Sequence, residues 1–126
     1  MPLVTLTLRQ RRPAVFKAAV LDAVHAALVH TGVPADDRFQ RVITLDAADA
    51  HFDPHYPDLA RPRTADALLI EILWSVGRSV KLKRALLADL MQRLGALGID
   101  TEQVMVVLQE TAWENWAFAG GRQLHA

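Results

Sequence analysis

The chain has 126 residues, 52% of them apolar, with 14 basic and 14 acidic side chains and no cysteine. That is enough for one buried core and too apolar for disorder, and the even charge, without a basic run, speaks against nucleic acid or an anionic membrane surface as partner. The lack of cysteine excludes a disulfide framework, a thiol nucleophile and a thiolate metal site and agrees with a cytoplasmic protein, while no apolar stretch approaches a membrane span and no signal-peptide pattern opens the chain.

Met1 precedes proline, a small residue before which the initiator is normally trimmed. Pro2 would then begin the mature chain with a secondary amine. An unperturbed α-amino group has a pKa of about 7.7–8.0, within reach of acid or base work near neutral pH. Many chains begin Met-Pro for processing alone, so the pair by itself leaves both readings open. Leu3–Leu8 alternates, with Val4, Leu6 and Leu8 on one face and Leu3, Thr5 and Thr7 on the other, which predicts a strand. Pro13 suits the first turn of a helix, where a missing N–H costs little. Val15, Phe16, Ala19, Val20, Ala23, Val24, Ala27 and Leu28 form its apolar stripe. Gly32 fits the helix exit, Pro34 forbids continuation, and a second strand runs from about Phe39 to Leu45.

The second half repeats the plan. Leu68–Trp74 reads as a strand, Ser79 as an N-cap, and Leu86, Leu87, Leu90, Met91, Leu94 and Leu97 as a helix stripe. Gly98 stands at the exit, and Val104–Leu108 is the last strong strand. Leu3-Val4 with Leu68-Leu69, and Gly32-Val33 with Gly98-Ile99, match at an offset of 65–66 residues. The pattern predicts a single α+β domain over 1–126 with pseudo-repeats at 2–45 and 67–110, joined by a 46–66 connection. Each strand–helix–strand crossover makes its two strands parallel. Two helices cover one face of a four-stranded sheet, yet Leu68–Leu73 is apolar on both faces apart from Glu71. The uncovered face therefore calls for copies of the same chain. The connection, with Pro54, Pro57 and Pro62, is long enough to be functional or mobile, and its prolines leave room for disguised strand pieces.

The Met-Pro start, the twin β-α-β units and the expected oligomer together resemble the tautomerase superfamily, whose members use an N-terminal proline. Gly32-Val33-Pro34-Ala35-Asp36-Asp37-Arg38 is similar to the loop of malonate semialdehyde decarboxylases and their relatives. Gly77-Arg78-Ser79 is similar to the segment that carries a carboxylate-binding arginine before the second helix. Asn115-Trp116-Ala117-Phe118 with Gly120-Gly121 is similar to the segment that walls the pocket in that branch. The resemblance covers nearly the whole chain, the 46–66 connection least. It implies a cofactor-free, metal-free enzyme, a homotrimer, with Pro2, Asp37 and Arg78 catalytic and Arg78, Trp116 and Phe118 binding a small carboxylate.

Arg78 stands on physical grounds too. It precedes a helix whose first N–H groups and dipole favour an anion, and its guanidinium matches a planar carboxylate. The plain alternative is a solvated arginine at a helix start. Asp37 is equally a turn residue by type, as is Asp36; the resemblance implies that it works beside the proline. A cation and apolar walls lower the pKa of an amine and a carboxylate raises it, so Arg78 and Asp37 pull Pro2 in opposite directions. Trp116 and Phe118 share strand parity and suit either one pocket or an interface, whereas Trp113 and Trp74 read as packing residues. Two departures weaken the decarboxylase pattern. Val76 stands where a second arginine is placed, with Arg38, Arg41 or an arginine from a neighbouring subunit as substitutes, and Phe39 stands where some relatives have tyrosine.

Other constellations fail. His51 and His55 are four apart, but Pro54 between them argues against the helix that would align them as metal ligands. His25 reads as a surface or satisfied residue, and neither Ser75 nor Ser79 has a nucleophile-elbow setting. The reading is keto–enol tautomerisation of a small 2-keto carboxylate of the phenylpyruvate kind. Decarboxylation or hydration of a malonate-semialdehyde-type acid is the second enzymatic reading, and a non-catalytic trimeric binding module the third.

Overall fold

A computed structural model describes residues 1–123. Two β-α-β units follow one another. The first is β1 (Leu3–Leu8), α1 (Ala14–His30) and β2 (Phe39–Thr44); the second is β3 (Leu68–Ser75), α2 (Val80–Ala96) and β4 (Val104–Thr111). The four strands form one mixed sheet in the order β2-β1-β3-β4. β1 runs parallel to β2, β3 parallel to β4, and β1 antiparallel to β3 at the centre. The two units agree closely. Each helix has 17 residues, and the parallel pairs share one register, Leu3 opposite Phe39 and Leu68 opposite Val104. Both helices also end alike: Val33 N–H donates to the Leu28 carbonyl and Ile99 N–H to the Leu94 carbonyl, each at 3.2 Å.

Strand parity decides which face the helices cover. Val4, Leu6, Leu8, Ile70, Ile72 and Trp74 point to one side and are buried against Val20, Val24, Ala27 and Leu28 of α1 and Leu86, Leu90 and Leu94 of α2. Burying each such side chain contributes about 1.5–3 kcal/mol against leaving it wet. The other face keeps Phe39, Ile43, Met105 and Val107 exposed. Ser79 caps α2 as expected, its side chain accepting from Leu82 N–H at 3.1 Å. Pro13 lies one residue outside α1 rather than in its first turn, because an extended ψ of 156° is available at the cap with φ fixed by the ring.

The 46–66 connection contains one 3₁₀ turn, Ala47–Asp49, and no strand. Side chains fasten it instead. Arg63 donates to the carbonyls of Asp53 and Tyr56, both at 2.6 Å, and Arg61 grips Asp100 with two nitrogens. The strand pieces for which the sequence left room do not form: Pro54, Pro57 and Pro62 have no N–H to give a ladder. After β4 the chain makes a turn at Trp113–Asn115 and a short hairpin, β5 (Ala117–Ala119) with β6 (Arg122–Gln123). Among the described residues no helix is long and apolar enough to cross a membrane.

Candidate active site

The start of β1, the loop after α1 and the loop before α2 meet at one end of the sheet. They enclose a cavity of about 330 Å³ lined by Met1, Thr31, Gly32, Val33, Pro34, Asp37, Arg78 and Trp113. The fold forces this meeting. β1 is central, so its first residue lies between the end of α1, reached through the Thr31–Pro34 exit, and the end of antiparallel β3, from which Arg78 departs. Pro2 is buried, and Met1 before it lines the cavity. The Met1 amine pairs with Asp37 Oδ2 at 2.9 Å, and the Asp37 side chain is only 15% exposed.

Arg78 is half-buried and held from below and behind. Its guanidinium lies 4.4 Å from the centre of the Trp74 ring, and Nη1 donates to the Ser75 carbonyl. Cation–ring contacts of this kind gain strength as water is excluded. Burial pulls the pKa of Arg78 below its ordinary value, while the nearby charges of Glu110 and Asp37 work the other way. Glu110 is itself engaged: Lys83 and the Gly77 N–H hold its carboxyl below the usual range. The loop that presents Arg78 is thus tied to β4 as well as to α2. A guanidinium with donors to spare now faces a carboxylate that holds an amine. The arrangement can bind an organic acid at one end and move a proton at the other.

Of the residues singled out in the sequence, Asp37 and Arg78 line the cavity, and Pro2 is buried behind Met1, which lines it with them. Trp116 and Phe118 do not line this cavity. Their rings stack on each other, 5.7 Å apart at 8°, and Phe118 packs on Phe39 at 5.5 Å, on the uncovered side of the sheet. The common parity was legible; the hairpin that turns the pair away was not. Trp113, read as a packing residue, lines the cavity instead. Its place follows from the turn after β4, for which the sequence offers no periodic signal. Arg38 is turned to Asp22 at 2.6 Å, and Arg41 donates to Thr5 Oγ1 at 2.8 Å, so neither fills the place of Val76. His25 is satisfied by the Ala35 carbonyl at 2.7 Å.

Residues 37–119 match the family described as Tautomerase enzyme. "Probable tautomerase YusQ" of Bacillus subtilis (strain 168) is 29% identical over 124 residues, covering 97% of this chain and 96% of that protein. The crystal structure of FG41 malonate semialdehyde decarboxylase inhibited by 3-bromopropiolate superposes with a TM-score of 0.86 at 28% identity, over 96% of this chain and 92% of that one. A fused 4-OT symmetric trimer superposes with a TM-score of 0.75 at 28% identity, over 96% and 94%.

Proposed function

The chain belongs to the tautomerase superfamily, in its malonate semialdehyde decarboxylase-like branch, and from that premise we propose that it is a cofactor-free enzyme that interconverts the enol and keto forms of a small 2-keto carboxylate. The observation that carries the reading is the cavity at the start of β1, where Asp37, paired at 2.9 Å with the Met1 amine, and Arg78 stand together. Removal of Met1 enlarges the cavity and turns the Pro2 nitrogen into the terminal amine. Arg78 then holds the substrate carboxylate with its guanidinium fork. Neutral Pro2 accepts the enol hydroxyl proton and, as the secondary ammonium, returns a proton to C3, so the keto acid leaves and the amine is regenerated. Asp37 orients the polar end of the substrate, and Trp113 walls its apolar body. Catalysis here is proximity plus acid–base work.

The same cavity supports a second reading, because it sets a carboxylate beside an amine. A cationic Pro2 with Asp37 positioning water suits decarboxylation or hydration of a malonate-semialdehyde-type acid. Val76, in place of a second arginine, argues for the first reading, since only one guanidinium is left to grip and twist a departing carboxylate. The assembly is proposed to be a homotrimer built on the uncovered sheet face. Trp116 and Phe118 reach substrate in it only where a neighbouring chain brings its hairpin to the cavity.

The test is turnover of phenylpyruvate enol against carbon dioxide release from malonate semialdehyde, in wild type, Pro2→Ala and Arg78→Ala. The expected result is enol loss alone. Pro2→Ala lowers kcat by about 10²-fold or more. Arg78→Ala lowers kcat/KM about 100-fold, chiefly through KM, the value of a lost charged hydrogen-bond pair. Release of carbon dioxide establishes the second reading, and indifference to both substitutions leaves a binding module.

A further inference from the structure

A second and larger cavity, about 560 Å³, lies at the opposite end of the sheet, where β3 begins and α2 exits. Its lining repeats the first. Gly98 and Ile99 stand where Gly32 and Val33 stand, Gln103 where Asp37 stands, and Arg12, just before α1, where Arg78 stands before α2. An aromatic ring supports this cation too, from the following helix rather than the preceding strand: the Arg12 guanidinium lies 4.6 Å from the centre of the Phe16 ring. Ala67 takes the position of Pro2, buried and peptide-bonded on both sides, and Asp66 takes that of Met1. No amine can be freed there, and the carboxylate of Asp37 has become an amide. Proton transfer of the kind derived above is therefore absent. The means of holding an organic acid are not.

Asp66 shows what Arg12 recognises. Arg12 Nη2 and Gln10 Nε2 both meet its Oδ1, each at 2.7 Å. The contact uses one guanidinium nitrogen and one carboxylate oxygen, and the Asp66 side chain is 63% exposed. Exposed pairs of that kind contribute little and are readily exchanged. A free carboxylate can instead take the guanidinium fork with both oxygens. The other polar groups of the cavity are committed: Arg61 to Asp100 through two nitrogens, and Gln103 to Thr64 N–H and the Pro62 carbonyl at 3.0 Å each. The apolar wall is Phe16, Leu68, Leu97 and Ile99.

We propose that this second cavity is a non-catalytic binding site for a small organic carboxylate with an apolar body, held by Arg12, and that Asp66 is its tethered occupant in the resting chain. The inference goes beyond the reading of the first cavity and does not depend on turnover at Pro2.

The experiment is a ¹H–¹⁵N NMR titration of the full chain with phenylacetate, in wild type, Asp66→Ala, Asp66→Asn and Arg12→Ala. Amides of Gly98 and Ile99 report on the second cavity, those of Gly32 and Val33 on the first. The expected result is a saturable response at Gly98 and Ile99 that tightens roughly two- to fivefold in both Asp66 variants, the value of one exposed competing ion pair. Arg12→Ala abolishes that response and leaves Gly32 and Val33 as they were. Stillness of Gly98 and Ile99 in the Asp66 variants at the solubility limit of the probe overturns the proposal, as does a response indifferent to Arg12→Ala. Two Asp66 variants keep the test intact if one misfolds. Failure of the first cavity's assignment shows separately, at Gly32 and Val33 and in turnover.

Discussion

Asp37 holds the Met1 amine at 2.9 Å in the cavity that it shares with Arg78. Asp37→Asn keeps the size of the side chain and removes its charge. With the carboxylate that orients the substrate's polar end replaced by an amide, kcat/KM for the enol is expected to fall about 10-fold, the value of one weakened charged hydrogen bond. Unchanged turnover would mean that Asp37 takes no part in the reaction. Pro2, Asp37 and Arg78 were legible because each carries a local signal: a trimmed initiator, a Gly-Val-Pro turn, a position just before a helix. Trp113 carried none. Its place at the cavity comes from the direction in which a loop turns, and tryptophan in a mostly apolar chain reads first as packing.

Two loops position these residues. The one before α2 depends on Gly77, whose φ of +116° is a conformation that L side chains rarely adopt, although open space surrounds the site. Gly77→Ala is therefore expected to cost about 1–3 kcal/mol through the backbone alone, measured by denaturant unfolding. KM should rise with it, since Arg78 is the next residue and the Gly77 N–H is tied to Glu110. The 46–66 connection depends on Asp53, whose carboxylate accepts from His55 N–H at 2.9 Å and Tyr56 N–H at 2.7 Å. Those bonds, first of them that from His55, lower its pKa below the ordinary 3.8. The stabilisation is therefore complete above about that pH and disappears as pH falls through the lower folded value. Hydrogen exchange at the His55 and Tyr56 amides should lose protection in that acid window while the core amides of β1 and β3 keep theirs. Periodicity disclosed the four long strands and both helices. Parity marked a strand at Trp116 and Phe118, but not the direction of its hairpin, and it could not foresee that arginine side chains would order the proline-rich connection.

For the molecule as a whole, duplication explains both what was readable and what was not. Two units with one helix length and one strand register place two like cavities at opposite ends of the sheet. Only the first lies in front of a residue that processing can turn into a terminal amine. The matched glycines and strands made the two units visible in the sequence. The counterparts Arg12 and Gln103 passed unnoticed as sites, because their surroundings are assembled from the connection. The most direct measurement compares phenylpyruvate enol turnover by two preparations of the same chain, shown by intact mass to lack or to retain Met1. Turnover confined to the chains that begin at Pro2 is the expected result. Equal turnover by chains that keep Met1 would contradict a role for the proline nitrogen.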